Sequence, residues 1–303
     1  MFVRTSPVRL SLACLALIAC GCVELSRLWP APEALPAPAE LASPVPGIEK
    51  RIERVVNRGL GVPAEEFAAR LRAEVDAIAR ERGSLSLARA EAVLHAGIAL
   101  AEPGSFAEAK PFLVKRLELC ERLLGELHRE TAFALADLGV VEDELAGDAF
   151  SVEAESLFRR SLAVRSQVLG EAHDETAGSK LRLAALLTHA ERRDAKALAE
   201  AGVLADEASA VFAKPLPDPD TIWAREVAGH VALLAGDPAH ALEILEPVIA
   251  FSRSDFFSQV VTLDAHRSYV RALRALGRDA DALEIERQLP SIAERSGASE
   301  LGD

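Results

Sequence analysis

Leu124-Gly125-Glu126-Leu127-His128-Arg129-Glu130-Thr131-Ala132 and Leu169-Gly170-Glu171-Ala172-His173-Asp174-Glu175-Thr176-Ala177 are the two most similar stretches of the chain and lie 45 residues apart. Self-similarity at that period is the mark of stacked helical hairpins. Each hairpin is too small to bury its own apolar face and buries it against its neighbours. The expected architecture is therefore all-α.

The same unit extends outward from these two copies. A second-helix pattern is clearest in Phe106-Ala107-Glu108-Ala109-Lys110-Pro111-Phe112 and in Val152 to Ala163, and it recurs at Ala239 to Leu245 and at Ala280 to Ile285. Ala109, Ala154, Ala241 and Ala282 take its anchor position, at spacings of 45, 87 and 41. The spacing of 87 implies a degenerate unit in between, pairing Lys180–Thr188 with a helix over about Asp194 to Phe212, with either Ala197 or Ala201 as its anchor. A small residue at a crossing lets two helices approach closely, and Gly104, Gly147, Gly236 and Gly277 permit the turns between them. Five hairpins result.

From about Leu85 to residue 296 this pattern resembles the tetratricopeptide repeat family, in the longer variety found in kinesin light chains with its Leu-Gly-x-x-His-x-x-Thr-Ala connection. The resemblance implies a right-handed α-solenoid of stacked antiparallel helix pairs. In it the first helix of each pair lines a concave groove and the second lines the convex side. Carried residue by residue, this assigns Phe133, Ala136, Val140, Asp143 and Glu144 to the groove in one unit, Trp223, Glu226 and His230 in another, and Arg267, Arg271 and Arg274 in the last. The three arginines recur at helical spacing and share one face; they fit either a partner's carboxylates or a solvated face paired with local acids. The chain departs from the family pattern where Glu126, Arg129, Glu171 and Asp174 replace the usual prolines of the connection. It departs again where Arg116 takes a normally small position and where extra residues occupy 149–152.

The ends carry different information. Arg4 and Arg9 precede a short apolar run, Leu10 to Ala19, as in a signal peptide over 1–19. Leu17-Ile18-Ala19-Cys20 resembles a bacterial lipoprotein box, with Cys20 as the lipidated mature N-terminus and Cys22 as a second register. Several acyl chains give stable anchoring at ~0.8 kcal/mol per buried methylene. Gly21, in place of an Asp retention signal, favours the outer membrane, facing the periplasm. Residues 20–47 form a linker with six prolines between Trp29 and Gly47, a composition that buries no core. Two capping helices follow over 48–83, then the repeats over 84–296 and a disordered tail over 297–303. Pro215, Pro217 and Pro219 mark either a hinge or a long inter-repeat loop, with Asp220 or Thr221 capping the next helix.

A net charge of −13 opposes binding to nucleic acid or to an anionic membrane surface. Four cysteines, one in the signal peptide and one lipidated, leave no disulfide framework, and Cys120 sits among leucines as an inert thiol. The seven histidines form no His-Glu-x-x-His pair. No phosphate loop or Gly-x-Ser-x-Gly elbow is present. His128 and His173, equivalent in two connections, share a loop-ordering role. No cofactor, metal, small-molecule substrate or catalysis is expected. The expected role is a membrane-anchored scaffold or adaptor for another envelope protein or peptide segment, or alternatively an activator or assembly factor of an envelope machine.

Overall fold

The computed structural model describes residues 45–59, 61–147, 149–189, 194–216, 218–252 and 262–287. Within them the chain forms twelve helices and no strand. The signal peptide, Cys20, most of the linker and the tail lie outside the described residues. Two helices, α1 (Ile48–Gly59) and α2 (Ala64–Arg82), come first. Five pairs follow: α3 (Leu87–Ala101) with α4 (Phe106–Leu124), α5 (Arg129–Ala146) with α6 (Val152–Leu169), and α7 (Asp174–Leu187) with α8 (Ala195–Val211). The last two are α9 (Pro219–Leu234) with α10 (Pro238–Ser252) and α11 (Leu263–Ala275) with α12 (Asp279–Glu286). None of the described helices is long and apolar enough to cross a membrane.

The chain divides into two compact units, which among the described residues comprise 45–146 with 151–164, and 147, 149–150 and 165–287. The division falls inside α6, not at Pro215–Pro219. There α8 and α9 belong to one unit and pack on each other, so no division of the chain falls between them. The residue that caps α9 is Asp218, not Asp220 or Thr221: its Oδ1 accepts from the Thr221 N–H at 2.9 Å, and Pro219 fills the first helical turn, where no N–H is needed. Thr221 instead donates its hydroxyl to the Phe212 carbonyl at 2.6 Å, tying the helix start to the end of α8.

In the first unit one apolar cluster runs from Ile48 and Ile52 through Leu71, Ile78 and Leu100 to Leu119 and Leu135. The anchor alanines Ala109 and Ala154 are fully buried. Opposite them the first helices carry glycine. A Cβ on Gly97 would stand 2.7 Å from Leu113 Cδ2, and one on Gly139 would stand 2.6 Å from Phe158 Cε1. Leu113 and Phe158 each follow their anchor alanine by four residues, so alanine and filler share one face of the second helix. Arg116 is accommodated at its normally small position by ion pairs: it is 4% exposed and pairs with Asp137 and, at 3.3 Å, with Glu130. In the next copy Ser161 stands 45 residues on and donates to the Ala132 carbonyl at 2.8 Å.

In the second unit the degenerate pair packs through small residues. Ala197, Ala201, Ala205 and Ala208 of α8 are all buried, so both candidate anchors face the core. Lys180 of α7, 5% exposed, ties the pair to its connection and to α8 through Glu171 and Glu207, each at 2.8 Å. In the next pair the glycine device returns: a Cβ on Gly229 would lie 2.5 Å from Leu245 Cγ, four residues after the buried Ala241. The two connections quoted at the outset also behave alike. The glycine that ends each preceding helix has positive φ, 92° at Gly125 and 90° at Gly170. His128 Nδ1 accepts from the Glu130 N–H at 3.1 Å, and His173 Nδ1 from the Glu175 N–H at 3.2 Å.

Gly139→Ala is expected to lose about 1–3 kcal/mol through overpacking against Phe158. Gly178→Ala, where an added methyl meets nothing within 4 Å, is expected to gain roughly 0.4–1 kcal/mol. Urea unfolding of the two variants beside the parent checks both signs.

Candidate interaction surface

Helical spacing of three and four residues brings Trp223, Glu226 and His230 to one face of α9. Each is then held differently. Trp223 is half-buried, and the Arg182 guanidinium of α7 lies over its ring at 5.6 Å from the centroid. His230 Nδ1 and Ser268 Oγ of α11 are 3.2 Å apart. Glu226 is 3% exposed, and among the described residues neither of its oxygens has a hydrogen-bond partner. Burial, with the Asp264 carboxylate adding to it, holds the Glu226 carboxyl well above the usual carboxylate range.

The three arginines of α11 separate in the structure. Arg267 pairs with Asp264 at 2.9 Å, and Arg274 pairs with Glu286 of α12 at 2.8 Å. Arg271 is exposed and makes no ion pair with the described residues. Among the described residues the ladder is therefore two locally paired guanidinium groups with Arg271 exposed between them. Arg182 and Asp264 are not among the residues assigned from sequence. Asp264 was within reach, because it stands 41 residues after Trp223, the offset that separates Ala241 from Ala282.

In the first unit the corresponding face of α5 carries Phe133, Ala136, Val140 and Asp143. Phe133 is half-buried with the Arg129 guanidinium 5.4 Å from its ring centroid. Ala136, Val140 and Asp143 are buried, at 3%, 2% and 2% exposure, so they shape this face from below. Glu144 is half-buried beside Asp143. Burial, with the Glu144 charge adding to it, pushes the Asp143 carboxyl up to about 7.

Other chemistry-bearing groups are placed elsewhere. Cys120 is 3% exposed, and burial raises its thiol. Among the described residues no three His, Cys, Asp or Glu side chains gather as metal ligands. A groove of about 410 Å³ lies between α8 and the α9–α10 pair, lined by small and aliphatic residues such as Ala199, Gly202, Val231 and Ile244, with Asp206 as its single carboxylate. None of the residues assigned from sequence lines it.

No family model matches the sequence, and neither does any curated protein. Solved structures do match. A crystal structure of a Podosopora anserina protein classed provisionally as a kinesin light chain, with nearly identical TPR-like repeats, superposes with a TM-score of 0.54 at 20% identity, covering 71% of this chain and 98% of that chain. A single-substitution variant of that protein matches at 0.55 and 20%, covering 69% and 97%. BtubC (BKLC) from P. vanneervenii matches at 0.57 and 15%, covering 83% and 94%. At these identities the likeness concerns the fold. The chain has the TPR-like repeat fold, an α-solenoid of stacked helix pairs.

A carboxyl raised by burial destabilises the folded state once pH exceeds its ordinary value. Folding takes up a proton between pH 3.8 and about 7 at Asp143, so stability present in acid is lost as pH rises through that window. Asp143→Asn is expected to remove that slope, at most about 4 kcal/mol between pH 4 and 8. Denaturant unfolding of parent and variant at both ends of the window reads the difference.

Proposed function

We propose that this protein is a lipid-anchored interaction scaffold that holds a segment of another envelope protein on the first-helix faces of its repeats. The observation that carries the proposal is the face of α9 and α11, where half-buried Trp223 supplies an aromatic anchor and exposed Arg271 an open cation. Aromatic and arginine side chains dominate binding energy at protein interfaces. The TPR-like fold supports the same reading, because stacked helix pairs display a row of first-helix side chains without needing an enclosed cavity. A chain of net charge −13 with an open arginine on that face favours a partner segment bearing carboxylates.

Anchoring is the second part of the proposal. Leu17-Ile18-Ala19-Cys20 supplies the lipobox pattern, and the proline-rich stretch before Gly47 supplies a spacer of some tens of ångströms at ~3.1 Å per residue. Gly21 after the cysteine supports an outer-membrane destination facing the periplasm. The net negative charge supports attachment by lipid rather than by basic residues.

Two experiments test the two parts. Cys20→Ser is expected to move the protein from the membrane to the soluble fraction after cell fractionation; a variant that stays with the membrane contradicts lipid anchoring at that residue. Affinity purification of the lipidated protein is expected to recover a co-purifying envelope protein. Arg271→Glu is expected to weaken that capture by about tenfold, as loss and reversal of an interfacial charge does, with the unfolding midpoint unchanged. Capture that survives the reversal at full strength contradicts the role given to this face.

A further inference from the structure

Glu226 is the one group on the α9 face whose environment lacks an explanation in packing or pairing. Its side chain is 97% removed from solvent, and among the described residues neither buried oxygen has a hydrogen-bond partner. The group facing it is another carboxylate, Asp264 in the first turn of α11. A buried carboxyl without donors is tolerated only in its neutral form. A carboxylate opposite makes ionisation harder still.

Among the described residues the charged and titratable groups around it are placed as follows. From α7, Arg182 lies over the Trp223 ring. From α11, Arg267 holds Asp264 at 2.9 Å. On α9 itself His230 Nδ1 meets Ser268 of α11. From α10, Glu246 accepts the Tyr269 hydroxyl. From α8, Asp206 lines the groove that borders Ala228, Val231 and Ala232 of α9. All of these contacts lie within the second unit.

We propose that Glu226 makes the seam between α9 and α11 a proton-controlled latch: with Glu226 protonated the seam is closed, and ionisation of Glu226 against Asp264 opens it. The sign follows from linkage. The closed seam holds the proton more tightly than the open one. Closure is therefore fully favoured at and below the ordinary glutamate value and is lost progressively as pH rises towards the folded value of Glu226. Because α11 carries Arg267 and Arg271, opening moves the basic half of the face away from Trp223. That consequence for capture rests on the function proposed above, whereas the latch itself is a property of the free protein.

Hydrogen–deuterium exchange of the full chain between pH 5 and 9, without any partner, tests it. One proton released per opening raises the opening equilibrium roughly tenfold per pH unit within the window. In the parent protein, amides of α9 and α11 are expected to gain that factor beyond the ordinary base-catalysed increase. In Glu226→Gln the extra factor is expected to vanish at those helices, while the first unit is unaffected. Equal pH dependence in parent and Glu226→Gln overturns the latch. If Glu226→Gln does not fold, Asp264→Asn serves: removing the opposing charge is expected to end the window at a lower pH, and an unchanged window overturns the proposal. Loss of partner capture with the latch behaviour intact would count against the scaffold function alone.

Discussion

Everything in this fold depends on how closely the two helices of a pair can approach. At Gly97, Gly139 and Gly229 the first helix leaves out a side chain, and Leu113, Phe158 and Leu245 of the second helix occupy the space within what would be 2.7 Å of a Cβ. The anchor alanine one turn earlier completes the contact. A glycine inside a helix is unfavourable by about 1 kcal/mol relative to alanine, so its recurrence at the same place in three pairs shows that the close contact outweighs that loss. Where the device is missing the packing changes in kind. The α7–α8 pair substitutes a run of buried alanines, and the last pair has Val270 in the first helix at the register of Gly229.

Close approach has an electrostatic consequence. Closely packed helices leave little room for water around polar side chains buried between them. Arg116 and Lys180 meet this by pairing with two acids each. At Asp143 and Glu226 burial, with a neighbouring acid adding to it, raises the carboxyl above its ordinary range. The same close packing keeps the α9 face ordered: Trp223 is fixed under Arg182, and His230 is fixed against Ser268, so a guest segment would meet side chains already in place.

Much of this was legible in the residues themselves. The 45-residue repeat located the connections, and the shared histidines of those connections do the same work in the structure. The anchor alanines were found because small residues recur at fixed spacing. The three crossing glycines escaped notice because a glycine within a helix carries no signal until its partner side chain is seen. The cap of α9 lies two residues before Asp220 and three before Thr221 for a local reason. Asp218, Asp220 and Thr221 all suit a cap, and only the backbone path after Pro215 decides among them. The arginine periodicity of α11 was real, but ion pairs with Asp264 and Glu286 depend on chain neighbours that periodicity does not weigh. The burial of Glu226 and Asp143 was likewise hidden, since an acidic residue on a first helix reads as exposed unless the next helix is placed against it.

The central claim is that first-helix faces, not second-helix faces, hold a guest. Hydrogen–deuterium exchange of the protein alone and bound to a partner recovered by affinity purification tests this most directly. The account predicts new protection in α9 and α11, with α8 and α10 unchanged. Protection confined to α8 and α10, around the groove at Gly202 and Val231, would contradict it.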